Sequence, residues 1–290
     1  LTRIKINISC IEFTKLKKII LKNVDGIVID RFKENIEETS SFLYKLKQNN
    51  IKVLSISEWA GINLQRYPTE LINDNSSVIE EILLKKDINN FQMRVKRISE
   101  FFISLIILFF GMPLIIISSI LIKLEDGGPI FYSQERTGYK GKKFKIYKLR
   151  TMRINSEING PKWSTKNDPR ITKIGSFLRK SRIDELPQLL LVIDGKLSLI
   201  GPRPERPDFD DILRKKIKHY DLRYFMKPGI SGWAQVNYPY GSSTEDSQNK
   251  LEYDLYYLKN FSFFLDILIF LKTIKIIYLV KGSSSKESMI

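Results

Sequence analysis

Two adjacent carboxylates, Asp184 and Glu185, are the residues of this sequence best suited to chemistry. They follow a basic run that includes Arg179 and Arg182, and nearby positive charge favours the ionised form of a carboxyl group. An ionised carboxylate can attack phosphorus or bind a metal ion. Pro187 suits the first turn of a helix, so we expect the pair at or just before a helix start. An acidic pair in that position can also simply cap the helix.

Composition limits the class of protein. The 290 residues are 43% hydrophobic and carry a formal net charge of +16, which indicates a folded protein with an anionic partner: nucleic acid, an anionic lipid surface or a phosphorylated substrate. The single cysteine, Cys10, excludes an internal disulfide framework, and the single histidine, His219, excludes a zinc site built from several histidines. No signal peptide follows Leu1, and we expect the chain to start inside a longer protein.

Residues 1–93 show a strand, helix, strand pattern. The predicted strands are Gly26–Ile29 and Ile51–Ile56, and the predicted helix is Glu34–Gln48. One such crossover unit usually belongs to a larger parallel sheet, so this part is predicted to be an α/β, partial Rossmann-like fragment. No glycine fingerprint for a dinucleotide accompanies it, which favours a structural or regulatory role.

The uncharged segment Phe101–Ile122 is long enough to cross a bilayer. Gly111 and Pro113 lie in its middle and predict a break or kink in the helix. Both flanks are basic, and basic residues mark the cytoplasmic side of a membrane. We therefore expect a re-entrant helix-break-helix hairpin at residues 94–124, with a kinked membrane span as the alternative.

Residues 125–282 are predicted to be a mainly α catalytic domain with a small β-hairpin, formed by Ile130–Arg136 and Phe144–Arg150. Period-two alternation puts Lys148 and Arg150 on one face of the second strand. An amphipathic helix from Ile171 to Leu178 is expected to lead to the acidic pair.

Three later segments each have two interpretations. Prolines on both sides of Arg203 either hold its guanidinium for bidentate phosphate binding or form a rigid loop. The segment Lys227–Gly241 is predicted to be a turn-rich loop outside the core, with Trp233 and neighbouring amides available for a base or sugar pocket. Leu251–Val280 predicts amphipathic helices in the lipid headgroup region, with packing on the catalytic core as the alternative. Residues 283–290 are expected to be a disordered tail.

Several ordered motifs resemble the bacterial sugar transferases, the monotopic phosphoglycosyl transferases that act on polyprenyl phosphate. The resemblance extends from about Lys96 to Val280. It is carried by FYSQERTGYKGKKFKIYKLRTM at 131–152, LRKSRIDELPQL at 178–189, SLIGPRPE at 198–205, KPGISGWAQVN at 227–237 and YDLYYLKNFSFFLDI at 253–267.

The resemblance implies a covalent, ping-pong reaction. Asp184 would attack the sugar-linked phosphate of a UDP-sugar and release UMP, after which polyprenyl phosphate takes the sugar phosphate and initiates exopolysaccharide or O-antigen assembly. Glu185 would help to hold Mg²⁺. The other site residues that the motifs imply are phosphate-binding cations and one further acid: Lys148, Arg150, Arg179, Arg203 and Asp254.

The same resemblance implies the cytoplasmic face of the bacterial inner membrane, membrane lipids as partners, and a homo-oligomer as one possible state. Met112 departs from the serine that often precedes Pro113 in the family. Tyr238, Pro239 and Tyr240 lie where many relatives carry glycine and arginine, which leaves the donor sugar open. The alternative from another class is a membrane-anchored scaffold that recruits anionic partners. Nucleic acid is not expected, because no aromatic stacking series interleaves with the basic residues.

Overall fold

The computed structural model describes residues 26–29, 43–72, 78–79, 82, 90–156, 160, 168–239, 241 and 243–278. The chain divides into two compact units, Leu1–Leu64 and Gln65–Ile290. The sequence placed the end of the first domain at residue 93. Residues 65–72 contact the rest of the second unit: the Tyr67 amide donates to the Glu252 carbonyl at 3.1 Å, and Trp233 Nε1 donates to the Gln65 carbonyl at 2.9 Å.

The first unit contains the two predicted strands. Strand β1 (Gly26–Ile29) pairs in parallel with β2 (Lys52–Ser55), with Gly26 opposite Lys52, and helix α1 (Ile56–Leu64) follows. Parallel neighbours require a crossover between them. Of the predicted crossover helix, residues 43–48 are helical, and most of the remainder lies outside the described residues.

One long apolar helix, α2 (Asn90–Asp126), opens the second unit after a short 3₁₀ helix at Thr69–Leu71. Its length and composition are sufficient to cross a membrane, and only 22% of its most apolar window is buried, unlike the core helix of a soluble protein. The predicted break at Gly111 and Pro113 is not seen, because α2 continues through both residues. A proline removes one backbone hydrogen-bond donor, and the helical turns on either side keep their own backbone hydrogen bonds.

The predicted β-hairpin follows. Strands β3 (Phe131–Thr137) and β4 (Lys143–Leu149) are antiparallel, with Tyr132 opposite Lys148, and a 3₁₀ helix at Tyr139–Gly141 connects them. Both strands are confirmed within one residue at each end. Lys148 is half-buried, because it follows the inward-facing Ile146 by two residues along the strand.

The predicted helix before the acidic pair is α3 (Lys173–Ser181). Thr172 caps it by accepting a hydrogen bond from the Gly175 amide at 2.9 Å. Arg182 has φ 59° and ψ 15°, a left-handed conformation that ends α3 and begins a 3₁₀ helix at Ile183–Gln188. Helix α4 (Leu189–Asp194) and strand β5 (Ser198–Ile200) continue the chain.

The C-terminal half builds the core around α4 and β5. Its elements are α5 (Pro207–Lys216), a 3₁₀ helix at Tyr220–Phe225, β6 (Gly229–Ser231), α6 (Trp233–Asn237), α7 (Thr244–Lys259) and α8 (Phe263–Tyr278). Strand β6 pairs in parallel with β5, and Ser198 lies opposite Gly229.

Two predictions for this half need correction. The segment Lys227–Gly241 was predicted to lie outside the core, but it forms β6 and α6, and Trp233 is only 1% exposed. Aromatic residues contribute large buried areas, so Trp233 is more useful in the core than in an exposed pocket.

Helix α7 was predicted to lie in the headgroup region, but it packs on the core through a face that includes Leu251, Leu255 and Leu258. Helix α8 does present exposed apolar side chains, among them Phe264 (83% exposed), Leu268 and Leu271. An interfacial role is therefore compatible with α8 and not with α7.

Candidate active site

The acidic pair lies in the first turn of the 3₁₀ helix at Ile183–Gln188, as the sequence predicted. Asp184 is 6% exposed and Glu185 is 8% exposed. Carboxylates buried to this extent need compensating partners, because removal from water disfavours their charge. The two side chains differ sharply in how far that need is met.

Three cations converge on Glu185. Its Oε1 accepts hydrogen bonds from Lys148 Nζ at 3.0 Å and Arg203 Nη2 at 2.7 Å, and Arg182 Nη1 lies 3.8 Å away. Burial alone would raise the pKa of Glu185, but these positive charges outweigh it and hold that pKa well below its usual range. Glu185 is therefore a permanent anion at neutral pH.

Asp184 has the opposite electrostatics. Its Oδ1 is buried and, among the residues that the structure describes, has no hydrogen-bond partner. Burial and the neighbouring charge of Glu185 raise the pKa of Asp184 to about 6, against the lowering effect of Lys148, Arg182 and Arg179. The sequence predicted that both acids stay ionised at neutral pH. For Asp184 this holds above pH 6, with a margin of only about one unit.

Arg203 is held by close backbone packing. The Gly201 amide donates to the Ser231 carbonyl at 2.8 Å, and the Gly229 amide donates to the Pro202 carbonyl at 2.9 Å. A Cβ on Gly201 would collide with the Lys227 carbonyl, so glycine is required where the two segments cross. The resulting loop carries the Arg203 guanidinium to Glu185, so Arg203 is ion-paired at the acidic pair.

Two of the predicted basic residues have other contacts. Arg179 Nε donates to Thr151 Oγ1 at 2.8 Å, and its charge still lowers the pKa of Asp184. Arg150 forms a two-pronged ion pair with Asp126, in which Nη1 donates to Oδ2 at 2.9 Å. The structure therefore brings Lys148 to the acidic pair and places Arg150 at the end of α2. The prediction that Arg150 shares a strand face with Lys148 was wrong, because β4 ends at Leu149 and Arg150 lies beyond the strand.

Asp254 contacts the site through an arginine that sequence reasoning missed. Arg223 Nη2 lies 3.1 Å from Asp254 Oδ2 and donates to the Arg203 carbonyl at 2.7 Å. Burial raises the pKa of Asp254 to about 6, against the positive charges of Arg223 and Lys250. No spacing pattern singles out Arg223 in the sequence, because its relation to Asp254 and Arg203 arises only in the folded chain.

Helix α2 passes beside the acidic pair. An added Cβ on Gly111 would lie 3.2 Å from Leu186 Cδ1, so the middle of α2 packs against the residue that follows Glu185. Pro113, the predicted kink, is two residues further along this helix. The apolar helix and the acidic 3₁₀ helix are thus direct neighbours.

The fit of the site to Mg²⁺ depends on which carboxylate oxygens remain free to bind a metal ion. Within the described residues, no group of three or more histidine, cysteine or acidic side chains is placed to hold a metal ion. Mg²⁺ is commonly held by one or two carboxylates together with substrate phosphates, and not by a cage made only of protein. The unpartnered Asp184 Oδ1 beside Glu185 fits such a shared site.

Comparison with known proteins identifies the class. Residues 91–279 match the model of the bacterial sugar transferase family. Since this match covers more than half of the chain, the protein belongs to the bacterial sugar transferases. This confirms the resemblance found in the motifs, including its extent along the chain.

Three relatives illustrate the range of similarity. The UDP-N-acetylgalactosamine-undecaprenyl-phosphate N-acetylgalactosaminephosphotransferase of Aeromonas hydrophila is 38% identical over 93% of this chain and 63% of its own length. The UDP-glucose:undecaprenyl-phosphate glucose-1-phosphate transferase of Xanthomonas campestris pv. campestris is 38% identical over 64% of this chain and 39% of its own. The enzyme of the same name from Klebsiella pneumoniae is 32% identical over 87% and 54%. The chain thus spans less than two thirds of each.

Proposed function

We propose that the protein transfers a sugar 1-phosphate from a UDP-sugar to polyprenyl phosphate, through a covalent intermediate on Asp184. The observation that carries this proposal is the asymmetry of the acidic pair. Glu185 is neutralised by Lys148 and Arg203, whereas Asp184 keeps a buried oxygen without a hydrogen-bond partner among the described residues. A carboxylate in that state is poised to attack phosphorus, because no hydrogen bond to this oxygen has to be broken before it reacts.

The reaction has two steps. Ionised Asp184 attacks the sugar-linked phosphorus, the bond from that phosphorus to the bridging oxygen breaks, and UMP leaves with the bond's electron pair. A phosphate oxygen of polyprenyl phosphate then attacks the same phosphorus and restores the Asp184 carboxylate. Lys148 and Arg203 contribute positive charge for the diphosphate, and bidentate binding suits an arginine held as firmly as Arg203.

Glu185 is proposed to help hold Mg²⁺, which would supply charge neutralisation of the diphosphate when it is bound. Arg223 holds the backbone of Arg203 through a hydrogen bond to its carbonyl, and Asp254 pairs with Arg223. Arg179 contributes its charge near Asp184. For Arg150, the ion pair with Asp126 favours a role in fixing the end of α2 over direct phosphate binding.

The membrane arrangement proposed is re-entry from the cytoplasmic side, with a bend of α2 at Pro113 that leaves the helix uninterrupted. Support comes from both ends of α2, which contact the same unit: Lys96 Nζ donates to the Ile200 carbonyl at 2.9 Å, and Asp126 pairs with Arg150. A helix that spans the bilayer would carry its two ends to opposite faces. Cysteines introduced at Phe91 and Leu124, both exposed, should be labelled from the same face. Labelling from opposite faces would contradict re-entry.

The region before residue 94 is proposed to be the end of a nucleotide-binding-like domain, on the parallel pairing of β1 and β2. Such a domain could regulate or position the catalytic unit. Deletion of residues 1–64, the first compact unit, should leave the catalytic step measurable if the role is structural or regulatory.

The activity is tested by UMP release with Mg²⁺, undecaprenyl phosphate and a panel of UDP-N-acetylgalactosamine, UDP-glucose and UDP-galactose. Asp184→Asn should lower the rate by about 10⁴-fold or more, as loss of a covalent nucleophile does. Asp194→Asn is the matched control, because Asp194 is an exposed acid whose ion-pair partner, Lys196, is exposed as well. Unchanged turnover in Asp184→Asn would refute the assignment of the nucleophile.

A second readout isolates the intermediate. Without polyprenyl phosphate, the intact mass of the protein should rise by one sugar phosphate, and Asp184→Asn should show no increase. Removal of Mg²⁺ with EDTA should stop UMP release, and added Mg²⁺ should restore it. The alternative, a membrane-anchored scaffold for anionic partners, predicts no UMP release with any donor.

A further inference from the structure

A cavity of about 400 Å³ lies at the beginning of α2, apart from the acidic pair. Its walls come from the first turns of α2 and from the segment around β5 and β6, and neither Asp184, Glu185 nor Arg203 lines it. Four cationic side chains line it beside apolar ones such as Met93 and Met226: Arg94, Lys96, Arg97 and Lys227.

The positive charge of the cavity is not balanced from within. Its acidic residue, Glu100, is already committed: Oε1 lies 3.0 Å from Lys96 Nζ and accepts hydrogen bonds from Ser198 Oγ and the Leu199 amide. Lys96 in turn pairs with Asp266 at 2.7 Å. Lys96, Glu100 and Asp266 thus pair with one another. The other three cavity cations, Arg94, Arg97 and Lys227, have no carboxylate partner within the part of the chain that the structure describes.

The cavity cations differ in what holds them. Arg97 donates to the carbonyls of Val192 and Ile193 at the end of α4, so its guanidinium is fixed in place. The side chains of Arg94 and Lys227 have no hydrogen bond or ion pair among the residues that the structure describes. Burial and the charge of Arg97 lower the pKa of Lys227, with partial opposition from Glu100. An anion in the cavity would relieve this repulsion.

The surroundings favour an anion that carries a lipid. Phe91 is 70% exposed, and Ile98 and Phe101 are exposed on the same turns of α2 that form the cavity. Aromatic and aliphatic side chains beside a basic cluster are typical of the lipid headgroup boundary. A free anion would gain nothing from Met93, Ile98 and Met226, whereas the glycerol backbone or the first chain atoms of a lipid would.

We propose that this cavity binds the anionic phosphate headgroup of a membrane lipid, with Arg94 and Lys227 as its ligands and Arg97 as a fixed third charge. The lipid would hold the beginning of α2 at the membrane surface. The chemistry is common to an anionic phospholipid such as phosphatidylglycerol and to polyprenyl phosphate, and it requires no turnover by the acidic pair.

The test is a lipid titration of the full chain in detergent micelles, read by native mass spectrometry. The lipids are phosphatidylglycerol, zwitterionic phosphatidylcholine and undecaprenyl phosphate, and the soluble probes are inorganic phosphate and glycerol phosphate. The variant is Arg94→Gln with Lys227→Gln, which removes no described side-chain contact and should therefore fold. The matched control is Lys142→Gln with Lys143→Gln, which removes the same charge from the exposed tip of the β3–β4 hairpin.

We expect one tightly bound phosphatidylglycerol that phosphatidylcholine does not replace. The cavity variant should lose at least about tenfold in apparent affinity, since each basic residue near a membrane surface contributes about 1 kcal/mol. The control should change by less than about threefold. Binding to undecaprenyl phosphate alone would identify polyprenyl phosphate as the natural lipid.

Two results would overturn the proposal. Equal loss in the control variant would mean that the attraction is non-specific. Displacement of the lipid by millimolar inorganic phosphate or glycerol phosphate would mean that the site takes soluble anions. Asp184→Asn should bind the lipid like the unmodified chain, so the outcome does not depend on whether the catalytic proposal is correct.

Discussion

Two buried ionic clusters in the second unit differ in how completely their charges are paired. The first, which we call the anchor cluster, consists of Lys96, Glu100 and Asp266. Lys96 Nζ lies 3.0 Å from Glu100 and 2.7 Å from Asp266, and it also donates to the Ile200 carbonyl. Tyr257 completes the set by donating to Asp266 Oδ1 at 2.6 Å.

The second cluster is the acidic pair with its cations. Here Glu185 has more positive partners than one carboxylate needs, and Asp184 has a buried oxygen without a described partner. Complete pairing in a buried cluster fixes one arrangement of the chain, whereas incomplete pairing is a cost that folding alone does not explain. This difference supports the proposal that the acidic pair performs the chemistry and that the anchor cluster has a structural role.

The largest effect should come from breaking the anchor cluster. Lys96→Met keeps the aliphatic length and leaves Glu100 and Asp266 buried without their cation, so we expect a loss of about 3–5 kcal/mol in unfolding free energy. Chemical unfolding in detergent micelles measures it, with Lys142→Met as the exposed control. Adding Asp266→Asn should recover part of the loss. A Lys96→Met protein as stable as its parent would show that the cluster does not anchor α2.

A smaller loss is expected from Glu185→Gln. The change leaves Lys148 and Arg203 facing a neutral amide, and both are partly solvated, so we expect a loss of about 1–3 kcal/mol. It also removes the negative charge that raises the pKa of Asp184. The acidic limb of activity should then move to lower pH if turnover remains measurable, and a shift to higher pH would contradict the electrostatic account.

Asp184→Asn should have the opposite sign and stabilise the fold. Because burial raises the pKa of Asp184 from 3.8 to about 6, the folded state binds more protons between those values, and stability falls as pH rises through that window. Asparagine removes this cost, so we expect a gain of about 1–2 kcal/mol above pH 6. The gain should disappear near pH 4. A constant gain at all pH values would point to packing instead of charge.

The smallest effect is the pH dependence of the unmodified protein. Only ionised Asp184 can attack phosphorus, so UMP release should fall as pH drops through about 6 and be roughly tenfold lower at pH 5 than at pH 7. Initial rates at saturating Mg²⁺ and donor measure this. A limb near pH 4 would mean that substrate or metal cancels the burial effect.

The sequence predicted those features that depend on neighbours along the chain. Pro187 was enough to place Asp184 and Glu185 at a helix start, and alternation placed Lys148 on the same face of β4 as Ile146. The motifs predicted the family, and the family model confirms it. Each of these signals is local in the sequence.

Features that depend on distant segments could not be predicted in this way. The link from Asp254 through Arg223 to the Arg203 carbonyl joins three elements without a shared pattern. The burial of Trp233 depends on α7 and on residue 65. Burial of the 3₁₀ helix raises the pKa of Asp184. The neighbouring positive charges in the sequence predicted the opposite direction, because burial cannot be read from them.

The left-handed backbone of Arg182 means that one position serves two requirements that favour different amino acids. Glycine adopts φ 59° without steric penalty, whereas only a long cation reaches Glu185. Arg182→Gly should relax the backbone and remove the charge, whereas Arg182→Ala should remove the charge and keep the backbone penalty. In a library of variants at position 182, we therefore expect glycine to give the highest folding stability and arginine to give the highest activity.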